Sequence, residues 1–205
     1  GFHRIHGGLD CAIARGLVLA PYLIPTVVTI LVWKWLFNDL YGIFNNLLLE
    51  YELVDDAINW LGAMPNAMIS IILVGGWKYF PFVVIAVLAR LQTIPEPLYE
   101  AAKIDGAGPW ARFWDITLPQ LRGVLVIVIL LRSIWDFKEF DLIYLMTGGG
   151  PVIGTQTLSL LVFKEAFPLL HMGRAAAVAM LMLVIMLGFM FLYFKTYGRE
   201  RVEDA

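Results

Sequence analysis

Long apolar runs alternate with shorter polar segments along this chain. Apolar residues dominate 16–37, 67–88, 121–143 and 175–194, and each run has close to the ~20 residues that an α-helix needs to cross a hydrocarbon core. The pattern predicts an all-α integral membrane protein with four transmembrane helices in a single domain covering 1–205. In the first run the one charge, Lys34, lies near the exit between Trp33 and Trp35, which reads as an interfacial anchor with a snorkelling cation. Pro21 and Pro25 fall inside that run, where neighbouring helices can re-satisfy the carbonyls they free. The second run holds Gly75, Gly76 and Pro81 and carries Lys78 near its middle. The third is uniformly apolar from Gly123 to Leu131, and then places Arg132, Asp136, Lys138, Glu139 and Asp141 within ten residues. A lipid-facing helix does not carry such charges, so its outer half is expected to be surrounded by protein or water. The fourth run has no charge at all from Ala175 to Phe194.

The polar segments fix an orientation. Segments 1–15, 89–118 and 195–205 hold eight Lys and Arg, against two in 38–65 and 142–174. The positive-inside rule therefore predicts that both visible ends are cytoplasmic and that 38–65 and 142–174 face outward. The first outer loop carries Asp39, Glu50, Glu52, Asp55 and Asp56. Within it, Tyr41 to Leu48 and Trp60-Leu61 read as a partly buried segment along the outer surface.

Composition agrees with the pattern: 60% of residues are hydrophobic, where soluble domains are about half apolar. A net charge of −2 with scattered basic residues gives no footprint for nucleic acid. One cysteine, Cys11, excludes an internal disulfide, and Gly1 to His6 do not form a signal peptide. His3, His6 and His171 are not spaced as metal ligands. Cys11 sits in a basic segment without a convincing partner, and no Ser/His/Asp or Cys/His arrangement suggests a catalytic residue. The glycines of Thr147-Gly148-Gly149-Gly150-Pro151 read as a sharp turn, since no Walker A pattern occurs.

The polar stretch from Ile94 to Pro119 is the part built for a soluble partner. Pro95 and Pro97 suit a first helical turn, where a missing N–H costs nothing, and Glu96 suits its positive end. Leu98 to Ile104 follows as about two turns, with Leu98, Ala101, Ala102 and Ile104 as apolar or small contacts beside Glu100 and Lys103. Asp105-Gly106 supplies a stop. Adjacent alanines let another backbone come close, so this surface suits docking into a groove.

These residues resemble the cytoplasmic coupling loop, the EAA loop, of permease subunits in binding-protein-dependent ABC importers. The likeness continues through Phe113, Ile116, Leu118 and Pro119 as E-A-A-x-x-D-G-A-x-x-x-x-x-F-x-x-I-x-L-P. Phe140-Asp141 through Pro151, with Thr155 and Thr157, resembles the sugar and glycerol-phosphate (maltose-type) branch, and the loop at 41–48 and 60–61 does so more loosely. The resemblance implies a multi-pass subunit of the bacterial inner membrane that imports a carbohydrate by alternating access. It implies a second permease subunit, two cytoplasmic ATPase subunits that bind ATP and Mg, and an extracytoplasmic solute-binding protein. This chain would then hold no cofactor and no enzymatic site. Glu100, Ala101, Ala102, Asp105, Gly106 and Ala107 would couple it to the ATPase. Family members carry one or two further membrane helices before this point, so the chain is expected to be the C-terminal part of a longer permease.

Arg132 and Asp136 are four apart and share a helix face, so they can pair. Trp135 and Glu139 lie nearby in sequence, and Lys78 with Tyr79 sits mid-span on another helix. These six residues line a translocation path in one reading. In the other, Arg132 and Asp136 form a structural lock and Lys138, Glu139 and Asp141 are solvated at the outer rim. Three other functions stay open: a permease for amino acids, peptides or inorganic ions; a secondary transporter in which Arg132, Asp136 and Lys78 couple ions; and an assembly protein without solute flux. The secondary transporter offers no explanation for the docking stretch, whereas in the assembly protein that stretch would recruit a partner without solute flux.

Overall fold

A computed structural model describes residues 16–197. Expectations placed on His3, Arg4, His6, Cys11, Arg15, Arg199 and Arg201 lie outside the described residues. Within them every regular element is helical. In order these are α1 (Gly16–Leu23), α2 (Thr26–Leu36), α3 (Ile43–Glu50), α4 (Asn66–Leu91), α5 (Glu96–Ile104), α6 (Pro109–Arg112), a π-helical turn (Phe113–Thr117), α7 (Leu118–Phe137), α8 (Asp141–Thr147), α9 (Leu158–Ala166) and α10 (Met172–Tyr197). Among the described residues three helical stretches, Asn66–Leu91, Pro109–Phe137 and Met172–Tyr197, are long and apolar enough to cross a membrane. α1 and α2 qualify together as a broken fourth, bent by 98°.

The expected spans 67–88 and 175–194 fall inside α4 and α10. The expected span 16–37 is divided instead. Pro25 has no N–H to continue the ladder and disfavours helical geometry at Ile24, so the chain turns there. The run expected over 121–143 also differs: helix extends back to Pro109 and stops at Phe137, and a separate short helix begins at Asp141. Pro119 explains the π turn before it. A helix must absorb the missing donor, and the wider register, closed by the Leu118 N–H on the Phe113 carbonyl, absorbs it.

The chain forms two compact units. Among the described residues, the first comprises 16–81 together with Lys138–Leu183. Its core is Ile30, Phe37, Ile71, Val74, Leu142, Ile143, Met146 and Leu160, where full burial of a large aliphatic or aromatic side chain contributes about 1.5–3 kcal/mol. α2 packs along α8. Trp33, expected at an interface, stacks at 5.9 Å on Phe44 and meets Trp77 edge-on at 5.4 Å. Lys34 beside it donates to the Leu145 carbonyl at 3.3 Å. The segment between α2 and α4 is tied down by Asn45, whose amide donates to the carbonyls of Asp39 (3.2 Å) and Ile58 (2.9 Å). The same side chain accepts from the Ile58 N–H (3.1 Å) and the Trp60 indole (2.9 Å).

The second unit comprises Phe82–Phe137 together with 184–197 among the described residues. Ile94, Leu121 and Val128 are its buried residues among those described. Trp135 meets Phe82 edge-on at 5.0 Å, and the Tyr193 hydroxyl donates to the Val126 carbonyl.

Candidate functional site

The docking segment is a formed helix with a defined stop. α5 begins after Pro95 with proline in its first turn and Glu96 at its positive end, and carries Lys103 in its last turn, which opposes the helix dipole at each terminus. It closes in a Schellman motif: the Ala107 N–H bonds the Ala102 carbonyl at 2.8 Å and the Gly106 N–H bonds the Lys103 carbonyl at 3.1 Å. This closure needs Gly106 at φ +78°, a conformation that costs other residues about 1–2 kcal/mol. Nothing lies within 4 Å of the position a Cβ would take there, so glycine is required by the backbone and not by crowding. Glu100, Ala101, Asp105 and Gly106 are exposed, and Ala102 and Ala107 half-buried. Ile104 is 87% exposed. Pro109, Trp110 and Phe113 line an open apolar hollow on the following turn.

Two tethers hold this excursion, and neither was evident in the sequence. Arg90, in the last turn of α4, donates from Nε to the Gln120 carbonyl (2.9 Å), from Nη2 to Gln120 Oε1 (2.7 Å) and from Nη1 to Thr93 Oγ1 (3.1 Å). Further along, the Tyr99 and Thr117 hydroxyls are 2.9 Å apart. An arginine ahead of a cytoplasmic loop reads as a topology signal, and its partner lies thirty residues on.

The six residues considered for a path divide between the two units. In the first, Lys78 is 3% exposed and donates to the Ile24 carbonyl at 2.7 Å. That carbonyl lies at the break after α1, where a helix leaves acceptors unpaired and a cation is favoured. Tyr79 donates to Glu139 Oε2 at 3.3 Å, and Glu139 Oε1 accepts the Leu142 N–H at 3.2 Å at the start of α8. In the second unit, Arg132 pairs with Asp136 one turn along α7. The Arg132 guanidinium stands 6.0 Å from the Trp135 ring, within cation–π range.

The turn after α8 is a hydroxyl-stapled loop. Gly148 (φ +61°) and Gly149 (φ +89°) carry it through left-handed geometry. At Gly149 space also decides, because a Cβ would come to 2.8 Å from Leu160 Cδ2. Thr155 is buried, 2.7 Å from the Thr147 hydroxyl, and donates to the Gly150 carbonyl at 2.6 Å. Thr157 caps α9 by accepting the Leu160 N–H. His171 lies 3.1 Å from the Glu165 carboxylate, which also pairs with Arg174 at 3.4 Å.

Comparison with known proteins places relatives beside this geometry. The model of the family described as binding-protein-dependent transport system inner membrane component matches residues 11–199. The trehalose/maltose transport system permease protein MalF of Thermococcus litoralis is 40% identical over 189 residues, covering 92% of this chain and 63% of that protein. The inner membrane ABC transporter permease protein YcjO of Escherichia coli is 38% identical over 173 residues, covering 84% of this chain and 57% of that protein. The chain thus spans about three fifths of these relatives' length. A chain in the crystal structure of a bacterial alginate ABC transporter, in complex with an alginate pentasaccharide-bound periplasmic protein, has the same fold. Its TM-score is 0.84 at 22% identity, covering 94% of this chain and 66% of that one.

Proposed function

The chain belongs to the family of inner membrane components of binding-protein-dependent transport systems, and from that premise we propose that it is part of the transmembrane subunit of an ATP-driven importer for a carbohydrate. The single observation that carries the reading is the exposed, Schellman-closed helix Glu96–Ile104 at the polar stretch between two spans. A helix with small residues on an open face, held by its own caps, is suited to fit a groove on a soluble subunit. Glu100, Ala101, Ala102, Asp105, Gly106 and Ala107 form that surface, and the groove belongs to an ATPase that binds ATP and Mg. The 40% identical relative named for trehalose and maltose supports a carbohydrate as solute.

In this scheme a second permease subunit completes the membrane path, and a solute-binding protein delivers solute at the outward loops. ATP binding favours one permease conformation because the ATPase pair grips that state better. Tyr79 with Glu139, and separately Arg132 with Trp135 and Asp136, are the candidates for contact with solute, since a hydroxyl-rich solute leaving water needs hydrogen-bonding groups and aromatic faces. Lys78 contributes through the broken helix that it holds.

The test is ATPase activity and uptake by the complete transporter in liposomes, with its binding protein, across sugars, polyols, glycerol phosphate and peptides. Stimulation confined to one carbohydrate is expected. A flat response to all sugars beside stimulation by a peptide would discard the substrate class. In the same system Gly106→Pro, which cannot reach φ +78°, is expected to stay in the membrane and lose uptake. Undiminished uptake would sink the coupling role, and uptake surviving ATP depletion would favour an ion-driven carrier.

A further inference from the structure

We infer that Arg90 is the positioning residue that makes the docking segment a stiff lever, an inference that rests on reading 94–119 as the coupling element. A segment that passes a push from a soluble motor to membrane helices works only if its base does not give. Here the chain leaves α4 at Leu91 and enters α7 at Leu118, and one guanidinium spans that base. Two of its bonds go to Gln120, at 2.9 Å to the main-chain carbonyl and 2.7 Å to the side-chain oxygen. The third, to Thr93 at 3.1 Å, reaches the first residues of the excursion, while Thr93 itself donates back to the Arg90 carbonyl at 2.8 Å. A planar fork with three fixed acceptors cannot rotate without breaking all three, which a flexible ammonium does not reproduce. Because one acceptor is backbone, the clamp fixes register between the two helices as well as distance.

The second tether makes the closure continuous. Tyr99 on α5 meets Thr117 at 2.9 Å, Thr117 donates to the Arg112 carbonyl at 3.3 Å, and Ile94, between Arg90 and α5 in sequence, is buried. Against this, the tip at Ile104 and Gly106 is open. The excursion is rigid where it joins the membrane helices and available where a partner would seat. Were Arg90 only a positive-inside charge, any cation would serve at this position. The geometry instead demands the fork.

The experiment uses the complete transporter in proteoliposomes, with radiolabelled maltose and trehalose as probes, and reads solute taken up per ATP hydrolysed. Arg90→Ala is expected to lower that ratio by about fivefold or more, in the range of ordinary coupling energies, with the subunit still in the membrane and the ATPase still co-purifying. Arg90→Lys keeps the charge without the fork and is expected to fall nearly as far. Gln120→Leu is expected to lower the ratio less, and to add nothing in the Arg90→Ala background, because both act on one contact. Hydrogen–deuterium exchange of 95–107 in the same complexes is expected to rise in all three variants and needs no solute. If Arg90→Ala does not accumulate, exchange and coupling in Arg90→Lys and Gln120→Leu decide the matter. Full coupling in Arg90→Lys, or unchanged exchange together with an unchanged ratio in Arg90→Ala, overturns the inference. Gly106→Pro separates the two levels of failure. If it uncouples while the Arg90 variants do not, only the lever role is lost; if neither uncouples, the reading of the whole segment is lost.

Discussion

Asn45 stands in the segment between α2 and α4 at 1% exposure, with both its amide hydrogens and its oxygen engaged. Its two amide hydrogens go to carbonyls of residues on either side of α3, and its oxygen takes both a backbone N–H and the Trp60 indole. Removing the side chain leaves four groups without their partner, those of half-buried Ile58 and Trp60 and of exposed Asp39, at about 1–3 kcal/mol for each that water does not reach. Asn45→Leu is therefore expected to destabilise the subunit by about 3 kcal/mol or more, among the larger effects of a point change, read as a lower midpoint of thermal unfolding in detergent. An unchanged midpoint would mean that the outer segment contributes no stability. The sequence suggested a partly buried segment at Tyr41 to Leu48, but not its hub, since an Asn-Asn pair in an outer loop equally suits a solvated turn. Gly106 shows the opposite case: a polar helix ending in Asp-Gly announces its left-handed stop locally, and that conformation is present. Arg90 was illegible because its meaning depends on Gln120, which lies across the loop.

At the scale of elements, the broken first span shows how a hydrophobic run conceals a turn. Apolar content from 16 to 37 satisfies the length test for one helix, yet Pro25 divides it, and the free end of α1 is met by Lys78 from α4. Periodicity counts apolar residues and does not register a carbonyl in need of a donor. The same blindness extended the third run past Phe137, where Glu139 and the first-turn Asp141 start a new helix. Lys78 now offers a discriminating experiment. If it holds the break, Lys78→Met leaves the carbonyl of half-buried Ile24 without its donor, costing about 1–3 kcal/mol where water does not replace it. The expected result is a lower unfolding midpoint, with affinity for the solute unchanged in the molecules that remain folded. If Lys78 instead lines the path, the midpoint holds and affinity falls. Arg132→Gln and Asp136→Asn extend the comparison to the ion pair on α7: loss of solute affinity or maximal rate at unchanged stability is expected for path residues. A lock gives the reverse.

For the whole molecule, the orientation follows from charge alone and is open to a direct check. Eight Lys and Arg fall in the segments assigned to the cytoplasm and two in those assigned outside, a bias that acts during insertion and leaves no mark on helix geometry. Two well-exposed apolar side chains serve as reporters. Ile104 is 87% exposed at the docking helix and Val152 is 94% exposed at the outer turn, so cysteine at either position is reached by reagent without distorting a core. In a Cys11→Ser background, which removes the chain's one native thiol, a membrane-impermeant maleimide applied to spheroplasts is expected to label Val152→Cys at once. Ile104→Cys is expected to react only after permeabilisation. Co-expression of the ATPase subunit should then slow labelling at 104 and leave 152 alone, because a seated partner covers the helix face. Labelling of 104 from outside would invert the topology, and with it the assignment of the segment to a cytoplasmic motor.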